Sequence, residues 1–278
     1  MVSKLNNTPV LATSVLLTRD SGNGPEVFMV TRHHKIDFAY GALVFPGGKL
    51  DNNDSDPDLI DLCATQHPGV DNIAARICGI RETFEESGIL LARDAFNGDL
   101  ISGQRCNELQ KTYRELLHEG SITLLEIVRK ENLQLSCDRL TPFARWITPN
   151  CFSRRFDALF YLVKTPIDYV ASHDPVESIG SVWTTPSEAL KNADEGRVTL
   201  VFATRMNLQK LGKYDDVASS INAAKKNGVI SVEPHLHEKD GIVTYTIPIE
   251  AGYGITKFTE YGGPSLKIRS DTQKKTDL

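Results

Sequence analysis

The sequence predicts an α+β protein, a mixed β-sheet flanked by helices, and three observations point to it. Residues 10–18 (VLATSVLLT) and 26–32 (EVFMVTR) are apolar and β-branched on either side of the turn-forming run Ser-Gly-Asn-Gly-Pro, as a buried hairpin requires. Residues 72–90 place Ile73, Ile77, Ile80 and Phe84 at helical spacing on one face. Strands and helices then follow one another without the regular βαβ rhythm of a parallel sheet, so the sheet is expected to be mixed.

After the hairpin, residues 42–45 (ALVF) form a short third strand, ended by a glycine turn at Pro46-Gly47-Gly48. Residues 51–72 differ in texture. Asp51, Asp54, Asp56, Asp58, Asp61 and Asp71 with two prolines predict a solvated, loop-rich insertion with one short helix at 57–64. The helix at 72–90 comes next, then a helix-rich, polar-amphipathic addition at 104–131. Strands resume at 143–148, 155–163 and 178–184. Pro186 suits the first turn of a helix running to 194. Residues 198–226 read as one or two further helices, and 229–247 as a hairpin turning at Lys239-Asp240-Gly241. The expected organisation is a single domain over 1–262 and a flexible tail at 263–278.

Composition narrows the classes. At 278 residues with 40% hydrophobic content the chain can bury a sizeable core. Its formal net charge of −5 makes a nucleic acid a poor partner, because non-specific binding rests on Lys and Arg neutralising phosphates. A small phosphorylated molecule remains compatible if bound metal supplies positive charge. The five cysteines, Cys63, Cys78, Cys106, Cys137 and Cys151, are odd in number and form no C-x-x-C pair, so free thiols are expected. No secretory leader follows Lys4, no stretch approaches the roughly 18 apolar residues of a membrane span, and the chain does not end in Ser-Lys-Leu. A cytoplasmic location is the default expectation.

The chemistry concentrates in Arg81-Glu82-Thr83-Phe84-Glu85-Glu86-Ser87-Gly88-Ile89. On a helix, positions 82, 85 and 86 are i, i+3 and i+4, so the three carboxylates share one face, opposite the apolar stripe. Three like charges that close repel, and a cation should offset them. Hard divalent cations prefer carboxylate oxygens and also bind phosphates. By itself E-x-x-E-E is more often a solvated acidic face than a site. The context favours a site: Gly88 suits a left-handed cap, Arg81 is placed to hold one carboxylate, and Gly47-Gly48 allows close backbone approach upstream.

Taken together, GGKLD and RETFEESGI resemble the Nudix box: a Gly, five residues, Glu, seven residues, then Arg-Glu-apolar-x-Glu-Glu-x-Gly-apolar. Gly48 matches its first Gly, Arg81, Glu82, Glu85 and Glu86 its helix, and Gly88 and Ile89 its end. The resemblance implies an α/β/α sandwich, and Glu82, Glu85 and Glu86 as ligands of Mg²⁺ or Mn²⁺, with Glu82 also a candidate base. It implies hydrolysis of a diphosphate linkage in a nucleotide or coenzyme A type substrate. There are three departures. Thr83 replaces an aliphatic residue, Asp54 stands at the first Glu, and about 19 extra residues separate the two halves of the box. A box split in this way is similar to the branch containing the peroxisomal coenzyme A diphosphatases. Arg76-Ile77-Cys78-Gly79-Ile80, Trp146-Ile147-Thr148-Pro149 and Arg154-Arg155-Phe156-Asp157 agree with that branch.

The remaining candidates have competing readings. Arg154 and Arg155 either grip a phosphate or form a surface salt bridge, with Asp157 as partner. Arg32, with His33, His34 and Lys35, is a substrate-side patch or a solvated loop, and adjacent strand histidines point to opposite faces. Gly47 and Gly48 are expected to border the substrate. Glu177 is a remote base or a surface acid, and Trp146 and Trp183 read as core or rim packing. The 104–131 helices either cap the pocket or form a homodimer contact. Two function classes follow: a metal-dependent diphosphatase acting on coenzyme A, acyl-CoA, NADH or ADP-ribose, or a Nudix fold that binds a nucleotide without cutting it.

Overall fold

The computed structural model describes residues 8–32, 41–64, 72–174, 178–240 and 242–261. The chain begins with strands β1 (Val10–Ser21), β2 (Gly24–Arg32), β3 (Leu43–Val44) and β4 (Gly47–Lys49). Helices α1 (Pro57–Asp61) and α2 (Ile73–Ser87) follow, then β5 (Ala92–Asp94), α3 (Gly103–His118) and α4 (Leu124–Lys130). Next come β6 (Leu133–Leu135), β7 (Thr141–Ile147), β8 (Phe156–Lys164) and β9 (Ser178–Thr184). The C-terminal part holds α5 (Pro186–Asp194), α6 (Phe202–Leu211), α7 (Val217–Asn227), β10 (Ser231–Val232), β11 (His235–Lys239), β12 (Ile242–Thr246) and β13 (Lys257–Tyr261).

Eight strands make one sheet, ordered β10-β7-β8-β1-β2-β3, with β4 also on β1 and β9 also on β2. It is mixed as expected: β1 lies parallel to β8, and antiparallel to β2 and β4. Strand β1 reads as a continuous apolar run because both faces of the sheet are covered. Val15 and Leu17 pack with Ile77, Ile80 and Phe84 of α2 and with α3 and α4. Leu16 points the other way, into a second core with Met206, Leu208 and Ala224 from α6 and α7. The result is the expected α/β/α sandwich.

The structure departs from the sequence reading in several places. The glycine turn after the third strand is itself a strand: Gly48 pairs with Thr13 and Gly47 with Ser14 of β1. Only glycine permits this at 47, where φ is +157° and a Cβ would lie 2.1 Å from the Thr13 carbonyl oxygen. The inserted segment is not wholly solvated, since Asp54, Leu59 and Cys63 are buried. It docks through Ala64 N–H donating to Leu135 O at 2.8 Å and Leu135 N–H donating to Leu62 O at 2.8 Å. The helix expected over 57–64 ends at Asp61, and the 229–247 hairpin gains a third strand, β13.

Residues 65–71 of the insertion, His33, His34, Lys35, Glu177 and the 263–278 tail lie outside the described residues. Among the described residues, no helix is long and apolar enough to cross a membrane.

Candidate active site

Helix α2 is built to present its acidic face at a fixed place. Asn72 caps its first turn, accepting from Ala75 N–H, and Gly88 ends it in the left-handed conformation, φ 74°. Ile77, Ile80 and Phe84 are fully buried, which fixes the rotation of the helix. Thr83 stands where the box usually has an aliphatic residue, and it is fully buried too. The opposite face carries Glu82, Glu85 and Glu86, and Glu82 and Glu86 lie against the Gly47–Gly48 edge of the sheet. The Glu86 carboxylate accepts from Gly47 N–H at 3.0 Å. The Glu82 carboxylate packs so closely on Gly48 that a Cβ there would lie 2.2 Å from its Oε1. The two halves of the motif are therefore in contact despite the insertion between them.

Arg81 does more than hold one carboxylate. Its Nη1 donates to Glu82 at 2.9 Å and to Glu85 at 3.0 Å, while Nε and Nη2 donate to the two oxygens of Asp54 at 2.8 and 2.9 Å. Nη2 also donates to the Lys49 carbonyl at 3.0 Å. Burial works against the Arg81 charge, but the bond to Asp54 and the charges of Glu82, Asp54 and Glu85 outweigh it and hold its pKa above the ordinary value. Asp54 is also part of a capping box with Asp51, accepting from Asp51 N–H at 2.8 Å. Beneath them, burial first and then the charges of Asp54 and Glu82 push the Cys78 thiol up, which keeps it protonated.

Glu82 and Glu86 border a cavity of about 630 Å³, together with Arg81, Gly47, Gly48, Arg32 and Arg154. The Arg32 Nε is buried without a hydrogen-bond partner among the described residues. Arg154 and Arg155 separate. Arg154 reaches the cavity, whereas Arg155 donates to Glu233 and to the Thr148 carbonyl, both at 2.7 Å. The salt bridge considered with Asp157 is made by Arg145 instead, which lies diagonally across from it: on β7 and β8 Arg145 is in register with Leu159 and Ile147 with Asp157.

Part of the cavity wall is aromatic. Trp146, Phe202 and Tyr245 form it: Phe202 stacks on Tyr245 at 4.3 Å between ring centroids and meets Trp146 edge-on at 5.5 Å. The sequence reading assigned Trp146 to packing alone and gave Phe202 and Tyr245 no role. No motif marks them, since they come together only when α6 and β12 fold over β7.

The donor set suits a hard divalent cation: three carboxylates on one helix face, two of them at the cavity wall, beside a glycine edge with no side chains in the way. As the side chains stand, no three His, Cys, Asp or Glu among the described residues are grouped to hold an ion. Arg81 is the cation that neutralises Glu82 and Glu85 in this arrangement.

A family model described as the NUDT19 Nudix domain matches residues 68–210. The acyl-coenzyme A diphosphatase NUDT19 of Xenopus laevis is 29% identical over 207 residues, covering 60% of this chain and 54% of that protein. The human protein of the same name is 25% identical over 209 residues, covering 61% and 56%. The chain thus spans about half the length of the curated relatives it matches. A crystal structure of a Nudix hydrolase from Alicyclobacillus acidocaldarius superposes with a TM-score of 0.63 at 22% identity, over 78% of this chain and 97% of that one. That likeness supports the fold.

Proposed function

Because the chain belongs to the NUDT19 Nudix domain family, we propose that it is a divalent-metal-dependent hydrolase of the diphosphate linkage in a coenzyme A type nucleotide derivative. The observation that supports this most is the placement of Glu82 and Glu86 against Gly47–Gly48 in the wall of a large, partly aromatic cavity.

Glu82, Glu85 and Glu86 would hold Mg²⁺ or Mn²⁺. The bound ion would polarise a phosphoryl oxygen and lower the pKa of an attacking water. Arg32 and Arg154, which line the cavity, would meet the phosphates with guanidinium groups, whose forked geometry matches phosphate oxygens. Gly48 lets the Glu82 carboxylate lie against the sheet edge, and the Gly47 N–H holds Glu86 beside it. Glu82, which lines the cavity, would accept the proton of the attacking water. Water adds to one phosphorus, the bridging P–O bond breaks, and two monophosphates leave. With coenzyme A they would be a nucleotide bisphosphate and a phosphopantetheine. The aromatic part of the wall would receive the non-phosphate part of the substrate. All five cysteines are free, which supports a reducing, cytoplasmic setting.

The test is a hydrolysis panel with Mg²⁺ or Mn²⁺ over coenzyme A, acyl-CoA, NADH and ADP-ribose, with an EDTA control. EDTA-sensitive cleavage of the coenzyme A compounds, lost in Glu85→Gln and Glu86→Gln, is the expected result. Activity surviving both substitutions would remove the site assignment. Tight nucleotide binding without turnover would make the protein a binding module.

A further inference from the structure

The last turn of α2 ends in carbonyl groups that no residue of the helix can satisfy. Gly88 N–H donates to Phe84 O at 2.9 Å, and the Glu85 and Ser87 carbonyls are met from outside the motif. Arg114 Nε, on α3, donates to Glu85 O at 2.7 Å, and Ser172 N–H donates to Ser87 O at 2.9 Å. Arg114 also reaches Ser172 itself, with Nη2 to its carbonyl at 2.9 Å and Nη1 to its hydroxyl at 3.2 Å. One turn earlier on α3, Gln110 donates to the same hydroxyl at 2.8 Å and packs against the Gly88 cap. One turn earlier again, the Cys106 thiol lies 3.6 Å from Gly88 O.

We propose that Arg114 is a positioning residue for the metal-binding carboxylates, its guanidinium joining the carbonyl end of α2 to the 171–174 loop so that the last turn, and with it Glu85 and Glu86, keeps its direction. This rests on the metal-binding reading of α2. A planar fork is what the task needs, because its donors serve two separate backbone segments at once. The placement costs solvation: burial lowers the pKa of Arg114, against the raising effect of Asp174 and Glu86. A surface arginine would not be held in so desolvated a place without partners on both sides.

Two roles for Arg114 predict opposite signs. As a mere neighbouring charge it repels a cation, so removing it would tighten metal binding. As a positioning residue it holds the ligands, so removing it weakens binding.

The experiment is Mn²⁺ titration of the full chain by calorimetry, beside circular dichroism and steady-state kinetics. For Arg114→Met the expected result is a Mn²⁺ dissociation constant raised roughly 10- to 100-fold, the range for residues that orient metal ligands, with native secondary structure and little change in KM for substrate. Arg114→Lys, which keeps the charge but not the fork, should fall between Met and the parent. Binding by Arg114→Met as tight as the parent's, or tighter, overturns the proposal. If Arg114→Met fails to fold, Arg114→Lys decides, and parental Mn²⁺ affinity in that variant overturns it. A parent protein that binds no Mn²⁺ overturns the metal-binding reading and the positioning role with it.

Discussion

Arg81 and Asp54 form a two-bonded ion pair, Nε to Oδ1 at 2.8 Å and Nη2 to Oδ2 at 2.9 Å, that ties α2 to the segment inserted between the two halves of the motif. Asp54 is 1% exposed, and the Arg81 side chain 13%. With Asp54 removed, Arg81 would keep a largely buried charge with only Glu82 and Glu85 to share it. Asp54→Ala should therefore cost about 3 kcal/mol of stability in urea unfolding, in line with breaking one partner of a buried pair. A cost within about 0.5 kcal/mol, the range of ordinary surface substitutions, would show that the pair does not anchor the insertion.

Gly47 and Gly48 should fail in different ways. A Cβ at 47 meets backbone of Thr13 and Ser14, which cannot move without breaking the β1–β4 pairing. Gly47→Ala should lower stability by more than about 1 kcal/mol, because the backbone conformation is also strained for any L side chain. The nearest atoms to a Cβ at 48 are instead the carboxylate end of the Glu82 side chain. Gly48→Ala should fold nearly as well and lose roughly tenfold or more in Mn²⁺ affinity through displacement of that carboxylate. Thermal melts and Mn²⁺ titration of the two variants separate these effects, and equal melting temperatures would refute the distinction.

The structure also divides the Arg154-Arg155 pair. Arg154 borders the cavity, and Arg155 is engaged with Glu233 and Thr148. Arg154→Gln should raise substrate KM roughly 10- to 100-fold with kcat little changed, the loss of a charge-assisted bond that forms equally in ground and transition states. Arg155→Gln should leave KM near the parent value and act on stability. Steady-state kinetics of both variants on the best substrate of the panel give the answer, and a larger KM effect from Arg155 would reverse the assignment.

How far the sequence reached follows from which interactions are local. The acidic face of α2 was legible because i, i+3, i+4 geometry is set within one turn of helix, and Gly88 marked its end. The sandwich was legible because β1 and β2 are apolar on both faces. Asp54 was found by position in the motif, but its bond to Arg81 crosses 27 residues and no periodicity reports it. Strand β4 was hidden because two glycines read as a turn, and only the sheet edge beside them makes that segment extended. Arg114 had a faint signal: Cys106, Gln110 and Arg114 recur every four residues on α3, among buried Leu109, Tyr113 and Leu117. Such a polar line beside a buried face is meaningful only once a partner helix end is known to lie against it. The aromatic cavity wall had no signal, since Trp146, Phe202 and Tyr245 come from three separate elements.

Lys210 supplies a pH prediction away from the site. Its ammonium donates to the Phe143 carbonyl at 2.8 Å and sits over the rings of Phe143 and Tyr253, with Lys213 nearby. Burial, and then the Lys213 charge, bring its pKa down to about 8 from an ordinary 10.5. Below about pH 8 both folded and unfolded chains hold the proton, so the penalty for burying the charge is constant. Between about pH 8 and the ordinary lysine value the unfolded chain still binds a proton that the folded chain has released. Stability from this group must rise with pH across that window, because the unfolded state carries more protons there. Lys210→Met lacks the titrating group and should lack the rise. Urea unfolding of parent and variant at about pH 7 and about pH 10 isolates the effect as a difference, cancelling the other groups that titrate in the same range. The parent should gain on the variant at the higher pH, and a constant difference would place the folded-state pKa of Lys210 near its ordinary value.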